Sequence, residues 1–335
     1  MTLHPFDPLS AEEIRLSSRV IRDAKPSQDF IFNSITHREP PKKLVLTYLA
    51  AKQDGSALPI VPRESFVVLI ERGTGDVYEA VVDLQAQVLK SWLHVPGVQP
   101  TLTPEDCFEA ERIALADEVV KKECAQLGIV DMSLVVADPW FVQNFMASST
   151  MYAMAESIGY TGVPAHENKR LVQLFMFVRN SPTDNHYAHP LDFVTIVDLI
   201  AGHVTEIERL PAGEGFGVRE IRPRVPKTEH NYDPDLLGSA FLRKDLKPLQ
   251  VLSPEGPSFK VDGNAVEWQK FEFRLRQVCG NVRFQIDSFN YREGLVLHNL
   301  TYKDGDKVRP LLYRAALSEM AVPYGDPRPP FNRKT

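Results

Sequence analysis

A repeated helix start constrains the fold more than any other feature of this sequence. Leu9-Ser10-Ala11-Glu12-Glu13 and Leu102-Thr103-Pro104-Glu105-Asp106 match position for position. In the first copy, Ser10 stands at the N-cap and Glu13 three residues on, the spacing of a capping box, with Leu9 and Ile14 at the positions of a hydrophobic staple. Pro26 should stop that helix, since proline cannot continue it. The second copy has proline at the first helical position, acids at its start (Glu105, Asp106, Glu109), Lys121 and Lys122 near its end, and Gly128 as the expected residue after the cap. Strand-like runs follow each start: 30–35, 44–51, 66–70 and 77–84 after the first, and 132–137, 171–178, 193–199 and 204–210 after the second. Glycine turns at Gly73-Thr74-Gly75-Asp76 and Ala201-Gly202 join the last pair in each set. One helix followed by about four antiparallel strands, twice, predicts an α+β class with a helix on one face of each sheet.

The expected layout is a first small α+β domain over 1–97 and a second over 98–210. Next come an extended linker over 211–257, rich in Pro, Gly and Arg, and a strand-only segment over 258–335. In that last segment Phe271, Phe273 and Leu275 alternate with Glu272 and Arg274, and 295–302 turns at Lys303-Asp304-Gly305-Asp306 into 308–313, a hairpin signal. It reads as the opening of a large β-sandwich. The 335 residues, 43% apolar and 24% charged, suit two or three globular domains. The least charged stretch, 139–155, is broken by Gln143, Asn144, Ser148, Ser149 and Thr150, so no membrane helix is expected. The start has neither a basic nor an apolar signal region, so secretion is not expected. Cys107, Cys124 and Cys279 make no disulfide framework, and a net charge of −6 argues against a nucleic-acid binder.

Motifs for general chemistry are sparse. There is no GxSxG, no GxxxxGK and no HExxH. Gly213, Gly215 and Gly217 lack the spacing and the following helix of a dinucleotide loop and read as linker. His186 and His189 would share a metal only on a helix, which Pro190 disfavours, so a structured turn is expected and no metal ligand is assigned. No cysteine sits beside a base. Asp304 and Asp306 suit a hairpin turn better than a calcium loop, and Asn299-Leu300-Thr301 is a glycosylation sequon on an expected strand. Tyr324, between Pro323 and Gly325, sits on a tight turn that aims its hydroxyl.

Several longer stretches together resemble the copper-containing primary amine oxidases, most closely the fungal and yeast branch. They are 252–259 (LSPEGPSF), Glu267-Trp268, 289–297 (FNYREGLVL), Ser318-Glu319-Met320 and 322–327 (VPYGDP), with 187–193 (YAHPLDF) and Val197-Asp198 in the middle segment. The family carries two related small α+β domains before a large β-sandwich catalytic domain, which accounts for the duplication. The resemblance implies oxidative deamination of primary amines to aldehydes, with release of ammonia and hydrogen peroxide. It implies copper held by three histidines, topaquinone made from a tyrosine, an aspartate as base, O2 as co-substrate, and a homodimer formed through the catalytic domain.

Carried over residue by residue, the resemblance matches Tyr324 to the tyrosine that hydrogen-bonds the quinone, and Tyr187 to an aromatic position of the amine channel. It assigns no cofactor-binding residue and no metal ligand in this chain. Thr228-Glu229-His230-Asn231-Tyr232-Asp233 fits the letters of the quinone motif but falls in the linker and reads as coincidence. No H-x-H pair occurs, and the chain reaches Arg333-Lys334-Thr335 before the expected aspartate. The expectation is therefore an amino-terminal portion of an amine oxidase, inactive by itself, binding neither copper nor quinone at the family's sites. The alternative is a non-catalytic interaction module built from the duplicated domains. Extra residues relative to the family are expected around 145–160 and 277–288. The expected location is cytoplasmic or peroxisomal; which amine is oxidised, and the oligomeric state, are not legible.

Overall fold

The structure is a computed structural model that describes residues 4–141, 160–162, 169–211, 217–218, 221–222, 225, 227–275, 289–290, 294–316, 326, 328 and 330–331. The class is α+β, as expected. The chain divides into two compact units, one of residues 1–96 with 252–320 and the other of 97–251 with 321–335.

The first unit begins with helix α1 (Ala11–Ala24), whose capping box forms as the sequence demands. The Ser10 backbone N–H donates to Glu13 Oε2 at 2.7 Å, and the Glu13 N–H donates to Ser10 Oγ at 3.2 Å. Four strands, β1 (Phe30–Arg38), β2 (Glu64–Glu71), β3 (Val77–Asp83) and β4 (Val88–His94), make an antiparallel sheet in sequence order. Leu9 and Ile21 of the helix segment bury against Phe30, Val67, Leu69, Ala80, Val82 and Leu84 of the sheet. The 73–76 turn holds Gly73 and Gly75 at φ of +84° and +75°, conformations that favour glycine.

One expectation fails here. The run 44–51 is not a strand but part of helix α2 (Lys42–Asp54), closed by Gly55 in the left-handed conformation at φ +70°. Its buried residues Val45, Tyr48 and Ala51 recur every third position, a helical period hidden in a short, almost wholly apolar run. β4, which occupies the fourth place in the sheet, was not expected; all of its residues are exposed or half-buried, with no buried face.

The second unit repeats the plan. Short β5 (Val98–Pro100) precedes α3 (Pro104–Ala116) and α4 (Glu118–Gln126). These are two helices where the sequence suggests one, because the Asp117 side chain accepts from the N–H groups of Val119 and Val120 and starts a new helix. Gly128 at φ +83° closes α4 as expected. Strands β6 (Val135–Phe141), β8 (Leu171–Val178), β9 (Pro190–Asp198) and β10 (His203–Arg209) form an antiparallel sheet in the order β10-β9-β8-β6, and β7 (Tyr160–Gly162) pairs with β5. Ala110, Ile113, Ala114, Val120 and Cys124 of the helices bury against Val172, Leu174, Met176, Phe193 and Val197. Both helix-on-meander halves of the duplication are thus present. The stretches 145–159 and 277–288, expected to carry extra residues, lie outside the described residues.

Between Pro211 and Phe259 the described residues form no helix or strand, only an isolated bridge from Pro211 to Val218. The third segment up to residue 320 belongs to the first unit. β11 (Phe259–Asp262), β12 (Ala265–Trp268), β13 (Phe271–Leu275), β14 (Phe289–Asn290), β15 (Gly294–Asp304) and β16 (Lys307–Ala316) make one antiparallel sheet, with the β15–β16 hairpin turning at Gly305, φ +60°.

Candidate functional site

β8 and β9 are joined by a turn that carries a cluster of hydrogen-bonding side chains. Asp184 is its hub. Its carboxylate accepts the Asn180 N–H at Oδ2 (2.8 Å) and the His230 N–H at Oδ1 (2.7 Å), and it lies 3.0–3.1 Å from His189 Nε2. The Asn185 N–H donates to the His230 carbonyl at 2.9 Å, so two backbone bonds seat the linker on this turn. Burial pushes the Asp184 carboxyl up, but the donors from His230, Asn180 and His189 more than offset it and hold it at about 2. The carboxylate therefore stays charged at any working pH.

The segment His186–Ala188 is a single 3₁₀ turn, started by the Tyr187 N–H donating to Asn185 Oδ1 at 3.0 Å. A structured turn is what Pro190 led the sequence to predict. His186 points to Arg179, with Nδ1 3.0 Å from Nη2, while His189 is buried and meets His230 edge to face at 5.1 Å between ring centres. The sequence reading weighed His186 with His189 and assigned neither as a ligand. The structure instead groups Asp184, His189 and His230, with one ligand-capable atom from each lying within 4.8 Å of the others. Among the described residues this is the one such grouping of three. Asp184 was legible five residues before His189; His230 was not, because only folding brings the linker back.

Tyr187 is 59% exposed. Its ring rests edge-on against Phe177 at 5.2 Å and tilted against His186 at 4.3 Å, so it projects from the turn with its base supported on two sides. Tyr324 lies outside the described residues. Near it in sequence, the Pro330 carbonyl accepts from Gln173 Nε2 of β8 at 3.4 Å, and Phe331 stacks on Phe175 at 6.0 Å. Arg222 binds the linker a second time, pairing with Asp192 at the start of β9 and with Glu123 of α4 at 2.5 Å. Burial raises the thiols of both described cysteines, Cys124 to about 11, away from the thiolate form that attacks.

Three family matches fall on these elements in chain order. The copper amine oxidase N2 domain matches residues 4–95, the N3 domain 105–213, and the copper amine oxidase enzyme domain 260–335. The chain belongs to the copper amine oxidase family. A primary amine oxidase of an Arthrobacter species is 36% identical over 97% of this chain and 43% of its own length. A peroxisomal primary amine oxidase of Pichia angusta is 34% identical over 97% of this chain and 42% of its own. Among solved structures, a copper-containing benzylamine oxidase from Hansenula polymorpha superposes with a TM-score of 0.79 at 33% identity, covering 99% of this chain and 47% of that one. The chain thus spans less than half the length of these relatives.

The family implies copper and topaquinone. The copper set is three histidines, two of them spaced as H-x-H, and no two of the nine histidines here have that spacing. The Asp184–His189–His230 grouping does not fit that set, and the quinone-motif letters at 228–233 lie on the linker with Tyr232 exposed. No redox step is routed through these residues.

Proposed function

We propose that these residues form the two small α+β domains and the first strands of the catalytic domain of a primary amine oxidase. The whole protein converts a primary amine, O2 and water to an aldehyde, ammonia and hydrogen peroxide. The observation that carries this reading is the run of N2, N3 and enzyme-domain matches in family order along one chain, with the fold shared at a TM-score of 0.79. Residues 1–335 alone hold neither the quinone nor copper at the family's site, and they do not turn over amine. The domain limits are 1–97, 98–210 and 258–335, with the linker over 211–257. Homodimerisation belongs to the catalytic domain rather than to the two small ones.

Two tyrosines are given roles. Tyr324 hydrogen-bonds the quinone and holds its orientation. Tyr187 lines the channel by which the amine enters, a role supported by its exposed ring braced on Phe177 and His186. The protein works in the peroxisome or cytoplasm. The peroxisomal Pichia relative supports this, and among the described residues no helix is long and apolar enough to cross a membrane.

The test is to express residues 1–335, stain for a quinone under redox cycling, and assay peroxide release with methylamine and benzylamine. The reading predicts no stain and no release. Amine-dependent turnover by these residues alone would overturn it.

A further inference from the structure

The first small domain carries a cavity of about 560 Å³, a size that takes a small organic molecule, and the amine-oxidase reading gives it no role. Its wall is built by Tyr48 of α2, the segment 58–63, two residues after β3, and the residues ahead of α1 that include His4. Pro59 and Pro62 fix their own φ and carry no N–H, so the segment is a stiff wall whose side chains are apolar up to Arg63. Leu58 and Ile60 stay exposed, which leaves an apolar rim open to solvent.

Two nearly buried side chains of this wall have polar atoms that the fold does not use. His4 is 7% exposed and Tyr48 6%, and their rings meet edge to face at 5.6 Å. His4 Nδ1 accepts the Phe6 N–H at 3.2 Å, so the ring proton sits on Nε2 and the imidazole is neutral. Burial first, then the charge of Arg274, supports that state by lowering its pKa to about 4. Among the described residues neither the His4 Nε2–H nor the Tyr48 hydroxyl has a hydrogen-bond partner, and neither is sealed from open space. Each is free to bond whatever fills the cavity.

The charges of the wall cancel. Glu13 and Arg63 are its one carboxylate and its one guanidinium. Arg63 Nε and Nη2 donate to the two Glu13 carboxylate oxygens at 2.8 Å, and Nη1 and Nη2 also donate to the carbonyls of Asp7 and Pro8. Neither group can turn to a ligand without breaking that pair, so a charged molecule would shed its hydration with no counter-ion in return.

We propose that this cavity binds an uncharged, largely apolar carbonyl compound, its oxygen taking the His4 Nε2–H and the Tyr48 O–H while Leu58, Ile60 and Leu84 cover the apolar part. A carbonyl oxygen has two lone pairs, one for each donor, and brings no charge. The binding is non-covalent and needs no copper, quinone or amine turnover, so it stands or falls apart from the amine-oxidase reading.

The experiment titrates the 335-residue chain at neutral pH with acetylnaphthalene, read by calorimetry. Two molecules of similar shape serve as comparisons: ethylnaphthalene, which lacks the oxygen acceptor, and naphthoate, which is charged. The expected result is one acetylnaphthalene per chain, with both comparison molecules bound at least about 5-fold more weakly. Tyr48→Phe deletes only the hydroxyl, which bonds nothing in the fold. It should leave the thermal midpoint unchanged, weaken acetylnaphthalene about 5-fold and leave ethylnaphthalene as it was. No saturable binding, equal or tighter binding of ethylnaphthalene or naphthoate, or equal acetylnaphthalene affinity in Tyr48→Phe and the parent would overturn the proposal. If Tyr48→Phe fails to fold, Leu58→Trp, at an exposed position, decides: it narrows the cavity and should abolish binding, and undiminished binding rejects the site.

Discussion

The guanidinium of Arg170 is almost wholly buried where the second unit's helix start meets its sheet. It reaches both oxygens of Asp106, at 2.6 and 3.2 Å, and the carbonyls of Pro100 (2.8 Å) and Thr101 (3.0 Å). Burial pushes the Asp106 carboxyl up, but Arg170 more than offsets it and holds it below its ordinary range. Removing the cation would strand a buried carboxylate, so Arg170→Met should cost about 3–5 kcal/mol, read by urea unfolding. His4 offers a second test. Burial first, then the charge of Arg274, lowers its imidazole to about 4; Lys52 and His298 act in the same direction and Asp7 against it. The unfolded chain, at about 6.5, then binds the proton more readily than the fold does. Stability of the first unit should therefore be lost as pH falls from about 6.5 to about 4. The difference in thermal midpoint between His4→Gln and the parent should shrink across that window and be constant above it. Neither role was legible in the sequence, where Arg170 and His4 are single polar residues whose partners come from far along the chain. Asp106 was legible as part of the helix start, because a capping box is a short local pattern.

At the scale of elements, local signals held and tertiary ones did not. Both capping boxes form, at Ser10–Glu13 and Thr103–Asp106, because every partner lies within four residues. Thr103→Ala should cost about 1 kcal/mol and Gly128→Ala a comparable amount, the first by losing a cap and the second by forcing a Cβ into φ +83°. Thermal unfolding of the two variants checks both. The run 44–51 was misread because a short apolar run carries both helical and strand periods, and the contacts of α2, Lys42 over Tyr313 and Tyr48 against His4, are not written in it. α2 adjoins a seam of aromatic contacts in which His4 meets Tyr48 edge to face and Phe6 stacks on His298 at 4.3 Å. There Glu39 takes His298 Nε2 at 2.9 Å and Arg314 Nε at 3.1 Å. Burial raises the Glu39 carboxyl, but these partners outweigh it and bring it to about 2. This contribution is full above its ordinary 4.5 and is lost as pH falls toward 2, so Glu39→Gln should flatten the acid limb of the stability curve.

Over the whole molecule, the duplicated helix start led to the right class and to both meanders, and the long matched stretches led to the family. The path of the linker was not legible, since its anchors, His230 on Asp184 and Arg222 on Asp192 and Glu123, are made by folding. The central claim is that these residues are the amino-terminal working part of a primary amine oxidase and need the rest of a catalytic domain to act. The most direct measurement joins residues 1–335 to the remaining catalytic domain of the Arthrobacter relative and follows peroxide release with methylamine and benzylamine. The account predicts quinone staining and amine-dependent release from the joined protein, with Tyr187→Ala raising KM more than it lowers kcat. A joined protein that folds and stains for quinone yet releases no peroxide with any primary amine would contradict it.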